Sequence, residues 1–319
     1  MNADNYHKPV RVAVIGAGNV GATFAYNLLL SGLASEIVLV DANHKKAEGE
    51  AMDLNHAAPL SNPTRVWAGD YADCAGSAVT VITAGANQKP GETRLDLAAR
   101  NAEIFRQIVP QVVKHSPETI ILVATNPVDV LSYAAWKIAG LPKNRVFGSG
   151  TILDTARFRF LLSQHFGVDP RSIHAYIIGE HGDSEVPVWS LANIAGMTFP
   201  DFCHQHGVGC EQAELDRIYE QTRDAAYHII ERKGATYYAV AAGLVRIVEA
   251  ILRDQGSVLS VSSLIENYYD INDIFLSLPT VVDRGGVERI LRLKLDEKEI
   301  AGLQKSARVL KDLAQKLGF

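Results

Sequence analysis

Four short stretches of the chain carry polar side chains at spacings that could serve chemistry. In IIGEHGDSEVPVWS (177–190), His181 stands between Gly179 and Gly182, where little side-chain bulk blocks its approach to a ligand. Imidazole is the side chain that gives or takes a proton near neutral pH. In GSGTILDTARFRF (148–160), Asp154, Arg157 and Phe158 fall on about one turn of a helix. A guanidinium makes two parallel hydrogen bonds to a carboxylate and so orients whatever carries it. ATNPVD (124–129) ends a strand with Asn126, whose side chain has the reach to meet a ligand. GANQKPGETRLDL (85–97) places Pro-Gly between two strong element signals, reads as an exposed loop before a helix, and carries Gln88 and Arg94. Taken singly these clusters stay open. By itself His181 reads more readily as a loop histidine, and Arg157 has the competing reading of a surface helix arginine.

A fifth stretch has a more specific meaning. VAVIGAGNVGATFAYNLL (12–29) sets Gly16, Gly18 and Gly21 directly after a strand and at the opening of a helix. Gly16 permits a tight turn, Gly18 lets backbone approach a pyrophosphate, and Gly21 lets the helix pack close to the sheet. The helix N-terminus offers free N–H groups and a positive dipole end to phosphates. The next strand, EIVLVD, ends in Asp41. A carboxylate there accepts hydrogen bonds from ribose hydroxyls and repels a 2′-phosphate, which favours NAD over NADP. The competing reading of Asp41 is a helix cap.

These residues need elements to hold them. Strand-like runs at Val10–Ile15, Ile37–Val40, Val79–Thr83, Thr119–Thr125 and Val146–Phe147, with a weaker one at Arg65–Ala68, alternate with helix-length stretches such as Asn19–Leu30, Arg94–His115 and Val128–Ala139. Alternation of this kind predicts βαβ units and a Rossmann-type, doubly wound parallel sheet. After Ser149 the rhythm changes to longer helices (Ile152–Phe166, Glu211–Lys233, Tyr237–Leu252), then strands near Val258–Leu264 and Ile274–Leu278. The end places Ile300, Leu303, Ala307, Leu310, Leu313 and Leu317 on one face of an amphipathic helix. The expected organisation is a nucleotide-binding domain over 1–149 and an α+β substrate domain over 150–319.

Composition narrows the class. At 319 residues, with 47% apolar and 21% charged, the chain can bury a sizeable core without cross-links or a structural metal. A net charge of -5 gives no reason to expect nucleic acid or a membrane surface as partner. No apolar run is long enough to span a membrane. The opening MNADNYHKPV lacks a basic region followed by an apolar core, so no signal peptide is expected. Cys74, Cys203 and Cys210 are odd in number and without framework spacing, which fits a reducing cytosol better than a cross-linked protein. A cytoplasmic protein is expected.

With these motifs in this order and spacing, nearly the whole chain resembles the lactate and malate dehydrogenase family, and within it the bacterial L-lactate dehydrogenases. The resemblance implies hydride transfer between nicotinamide and C2 of a small 2-hydroxy or 2-oxo acid, with NAD as cofactor. It makes His181 the acid/base, Asp154 the partner of its other ring nitrogen, and Arg157 the binder of the substrate carboxylate. Arg94 becomes the arginine of a closing loop that polarises the carbonyl. Asn126 becomes a hydrogen-bond donor to the reacting oxygen, and Thr236, in KGATYYAV, a residue lining the substrate pocket. Related malate dehydrogenases carry an arginine where this chain has Gln88. A neutral glutamine leaves a second substrate carboxylate unpaired but tolerates a methyl group, which favours pyruvate and L-lactate over oxaloacetate and malate.

Two weaker signals remain. Arg159 and His174 match the cations with which some bacterial members bind fructose 1,6-bisphosphate between subunits. The resemblance therefore implies an effector site and a homotetramer built as a dimer of dimers. Cys203, His204, His206 and Cys210 in CHQHGVGC invite a zinc reading. Neither paired spacing follows a structural-zinc pattern, and no metal is expected. A non-enzymatic NAD-binding protein of the same fold is the rival from another class, disfavoured because a binding module has no use for a proton donor.

Overall fold

A computed structural model describes residues 9–86, 91 and 93–319. The first half runs β1 (Arg11–Ile15), α1 (Asn19–Ser31), β2 (Glu36–Val40), α2 (His44–Ala57), β3 (Arg65–Ala68), β4 (Val79–Ile82), α3 (Arg94–His115), β5 (Ile120–Val123), α4 (Val128–Ala139) and β6 (Val146–Gly148). Its strands pair in parallel in the order β3-β2-β1-β4-β5-β6. Parallel pairing follows from the crossover connections, which return the chain to the same end of the sheet before each new strand. Both faces of the sheet are covered, so the strands are apolar on both sides. On β1, Val12 and Val14 join one core with Phe24 and Leu28 of α1, while Ala13 and Ile15 join another with Phe105 and Val109 of α3.

The second half runs α5 (Ile152–Phe166), β7 (Ile173–Ile178), β8 (Val186–Ile194), β9 (Met197–Thr198), α6 (Phe199–His206), α7 (Gln212–Lys233), α8 (Tyr238–Leu252), β10 (Ser257–Ile265), β11 (Ile274–Asp283), β12 (Gly286–Ile290) and α9 (Glu297–Lys316). Strands β10, β11 and β12 extend the first sheet beyond β6 in antiparallel fashion, to nine strands among the described residues. Strands β7, β8 and β9 form a separate antiparallel sheet. A third core lies here, where Phe158, Leu162 and Phe166 of α5 meet Ile173 and Ile177 of β7, Phe202 of α6 and Ile218 of α7. Phe158 is fully buried, and losing its ring would cost ~3–5 kcal/mol.

The β7–β9 sheet is the largest element set absent from the sequence reading. Burial along β8 mixes buried, half-buried and exposed positions without strict alternation, so its period is weak in the sequence. The cysteine expectation is corrected. Cys203, near the end of α6, and Cys210 form a disulfide with Cα atoms 6.0 Å apart, leaving Cys74 as the free, buried thiol. Gly207, with φ 67, turns the chain back after α6 and brings Cys210 alongside Cys203, a contact that residue counting does not reveal. The cysteine argument for a reducing compartment falls with it, and CHQHGVGC has no free thiols to offer a metal. Among the described residues no cluster of three or more His, Cys, Asp or Glu is placed to hold a metal ion. No helix among them is long and apolar enough to cross a membrane.

Candidate active site

The strand order reverses between β1 and β4, and ligands of open α/β sheets bind at the carboxyl ends of strands at such a switch point. The glycine turn lies there. Gly16 has φ +107, and a Cβ on it would lie 2.5 Å from the Ala84 amide nitrogen. A Cβ on Gly21 would lie 1.9 Å from the Gly16 carbonyl oxygen, so only glycine lets α1 approach so closely. A Cβ on Gly18 would meet nothing within 4 Å. Gly18 caps α1, no side chain bonds to the helix start, and the first turn holds no acidic residue. The helix start is thus left without a side-chain cap or a local negative charge, and its N–H groups and positive dipole end fit a pyrophosphate.

Asp41 follows the end of β2. Its Oδ2 accepts from the Ala17 N–H at 2.7 Å and its Oδ1 from the Asn43 N–H at 2.8 Å. An ionised carboxylate has about four acceptor positions, so two remain for ribose hydroxyls. The residues present thus fit a dinucleotide.

Beyond the strand ends lies a cavity of about 250 Å³, lined among others by Asn126, Asp154, Arg157, His181, Glu185 and Leu313. Asp154 is buried in the first turn of α5, where the helix dipole favours a negative charge. Its Oδ2 lies 2.5 Å from His181 Nδ1, and its Oδ1 accepts from Arg157 Nη1 at 2.9 Å, one helical turn on. The His181 ring is about one quarter exposed (24%), and with Nδ1 committed to Asp154 its Nε2 is the nitrogen left for a ligand. Burial by itself disfavours the imidazolium, but the charge and hydrogen bond of Asp154, helped by Asp129 and Glu185, outweigh it and raise the pKa to about 9. Asp154 stays below the usual carboxylate range. Burial opposes this, and the charges of His181 and Arg157 prevail.

The loop that bears His181 is held from four remote elements. Gly179 pairs with Ser277 of β11 through two backbone hydrogen bonds of 2.8 and 2.9 Å. The Glu180 N–H donates to Ser306 Oγ of α9 at 2.6 Å. The His181 N–H donates to Asp129 Oδ2 of α4 at 2.7 Å. Asp129 is itself 1% exposed, and burial raises its carboxyl to about 6. Tyr227 of α7 closes the far side by donating to Asp183 Oδ1 at 2.9 Å.

Asn126 is exposed after β5, joined to Pro127 by a cis peptide bond. Its carbonyl accepts from Asn101 Nδ2 at 2.9 Å, while Asn101 Oδ1 accepts the Ala86 N–H at 2.7 Å. One buried asparagine of α3 thus ties the ends of β4 and β5 together. Gln88 lies outside the described residues, and of Arg94 only the backbone position at the start of α3 is described. Thr236 is half-buried in the connection from α7 to α8 and is not among the residues lining the cavity. Arg159 lies away from the cavity. It donates from Nε to the Ala175 carbonyl at 2.9 Å and stacks over Tyr176, beside the exposed His174 on β7. The sequence reading missed Asp129 and Glu185. Each is an acid in a motif already singled out, ATNPVD and EHGDSE, and that proximity was the available signal.

Comparison with known proteins agrees with this arrangement. The family model of the lactate/malate dehydrogenase NAD-binding domain matches residues 10–148, and that of the alpha/beta C-terminal domain matches residues 151–317. The chain is 55% identical to an L-lactate dehydrogenase of Acetivibrio thermocellus, across 96% of this chain and 97% of the relative. It is 56% identical to one of Moorella thermoacetica, across 98% of each. A crystal structure of a lactate dehydrogenase from a Medee basin deep-sea metagenome library superposes with a TM-score of 0.95 at 45% identity, covering 98% of this chain and 100% of that one. The minor L-lactate dehydrogenase of Enterococcus mundtii, solved with ligands bound, gives a TM-score of 0.93 at 42% identity, covering 96% and 98%. With a dinucleotide cradle, a paired histidine in a cavity beside it and matches over both halves, this chain belongs to the lactate/malate dehydrogenase family and is an NAD-dependent oxidoreductase.

Proposed function

We propose that the chain reduces pyruvate to L-lactate with NADH, reversibly. The observation that carries this reading is the group of Asp154, His181 and Arg157 around one cavity. Bound NAD supplies the hydride acceptor and donor. The other parts come from the chain. Gly16, Gly18, Gly21 and Asp41 seat the dinucleotide. Arg157 takes the substrate carboxylate, exchanging part of its contact with Asp154 for a two-point bond. His181 gives a proton from Nε2 to the forming alkoxide, while Asp154 holds the ring by Nδ1 and balances its charge. Asn126 donates to the same oxygen. Arg94, at the start of α3, polarises the carbonyl, and Gln88 tolerates the substrate's methyl group. Thr236 enters through the resemblance alone.

The reading takes residues 1–149 as the cofactor domain and 150–319 as the substrate domain, supported by the extents of the two family matches. It also includes a cytoplasmic location, a homotetramer formed as a dimer of dimers, and activation by fructose 1,6-bisphosphate at Arg159 and His174. Support for the effector is the proximity of those cations. Arg159 bonds the carbonyl of the residue next to His174 and shares α5 with Arg157. Following NADH absorbance with pyruvate and with oxaloacetate tests the substrate, and repeating it with the bisphosphate tests the effector. Faster turnover of oxaloacetate would overturn the substrate assignment. Identical pyruvate saturation with and without effector would overturn the regulatory one.

A further inference from the structure

The cavity contains a carboxyl group for which the proposed reaction has no task. Glu185 is 7% exposed and lines the cavity together with His181, Asp154 and Arg157. Its backbone is pinned, the N–H donating to the Gly182 carbonyl at 3.1 Å and the carbonyl accepting from the Tyr219 hydroxyl at 2.8 Å. Its side chain is not, since Oε1 has no hydrogen-bond partner among the described residues. An ionised carboxylate out of water needs partners, and one without them gains by neutralising.

The charged groups facing Glu185 do not supply that partnership. From α5 come Asp154 and Arg157, from the histidine loop Glu180, His181 and Asp183, and from α7 Arg223. Arg157 donates to Asp154, and Arg223 donates from Nε and Nη2 to its neighbour Asp224 at 2.9 and 3.1 Å. Burial, and next the negative charge of Asp154, push the Glu185 carboxyl up to about 8 against the attraction of His181, Arg157 and Arg223.

We propose that Glu185 is a proton-holding residue of this cavity, taking one proton from solvent when an anionic 2-oxo acid binds and releasing it when the cavity empties. The inference rests on the proposed function. A substrate carboxylate on Arg157 cancels one of the positive charges that favour ionised Glu185 and adds negative charge in the same water-poor space. The balance is simple: a carboxylate and a proton give a carboxyl group, and the reverse. His181 supplies the proton of the reaction, and Glu185 keeps its own through turnover because substrate and product are both anions. Oxo-acid affinity then falls with rising pH through two groups instead of one.

The test is calorimetric titration of the protein–NADH complex with oxamate, an unreactive pyruvate analogue, in buffers of different ionisation enthalpy between pH 7 and 9. Uptake at Glu185 is expected to be largest above pH 8, where the free carboxyl is mostly ionised. Glu185→Gln is expected to lose up to one proton of uptake per oxamate, which flattens the alkaline fall in affinity by up to about tenfold per pH unit. Infrared difference spectra of the unmodified protein give a second readout, since oxamate addition should produce a protonated-carboxyl C=O band. Oxamate binding with an unchanged proton count in Glu185→Gln, or no such band, overturns this inference alone. A protein that binds NADH but no oxamate overturns the proposed function as well.

Discussion

Asp154 Oδ2 lies 2.5 Å from Nδ1 of His181, at the N-terminus of a helix whose next turn carries Arg157. One carboxylate thereby orients the proton donor and the carboxylate binder together. The same contact makes the fold itself sensitive to pH. His181 ordinarily titrates near 6.5, and here its pKa is raised to about 9, so folding favours its protonated form. That contribution to stability is full below about pH 6.5 and is lost as pH rises through about 9.

Asp154→Asn should therefore lower the His181 pKa and move the alkaline limb of pyruvate reduction to lower pH. The measurement is the pH profile of kcat/KM, which for the free enzyme reports its essential acid. His181→Asn should reduce turnover by on the order of 10²- to 10⁴-fold with NADH binding retained. A profile unchanged by Asp154→Asn would remove Asp154 from the relay.

The two glycines at the start of α1 should respond differently to alanine. Gly21→Ala places a methyl 1.9 Å from a backbone oxygen that cannot move away cheaply, so a loss of ~1–3 kcal/mol is expected in thermal unfolding. Gly18→Ala meets nothing in the folded chain, and its melting temperature should hold. Its NADH affinity, read by fluorescence titration, should fall because the methyl stands where a pyrophosphate would approach. Unchanged affinity would put the phosphates elsewhere.

Asp41→Ser should narrow the preference for NADH over NADPH, measured as the ratio of kcat/KM for the two. The substitution also strips acceptors from the Ala17 and Asn43 N–H groups, so a modest fall in melting temperature should accompany it. A chain that already uses NADPH as well as NADH would disprove the reading of Asp41.

Gln88→Arg should shift preference from pyruvate towards oxaloacetate. The guanidinium would pair with the distal carboxylate, and with pyruvate it would sit unpaired beside a methyl group. The ratio of kcat/KM values for the two oxo acids decides it, and no change would place Gln88 outside the substrate's reach.

Much of this protein was legible in its sequence because the relevant forces are local. Helix α3 begins and ends where its pattern says, since Thr93 and Asp96 cap it reciprocally and Lys114 and His115 close it. The glycine turn is equally local, because Gly21 is required by the Gly16 backbone five residues away and Gly16 by Ala84 just beyond the neighbouring strand. What the sequence left undetermined depends on contacts across long separations. The His181 loop takes its shape from Asp129, Ser277 and Ser306, which stand 52 to 126 residues away. The Cys203–Cys210 bond needs the chain reversal at Gly207. Glu185 reads as one more surface acid in EHGDSE until α5 and α7 close over it and exclude water. A sequence names the groups that can be charged. Which of them must hold that charge out of water, and beside which partner, is decided only when distant elements pack together.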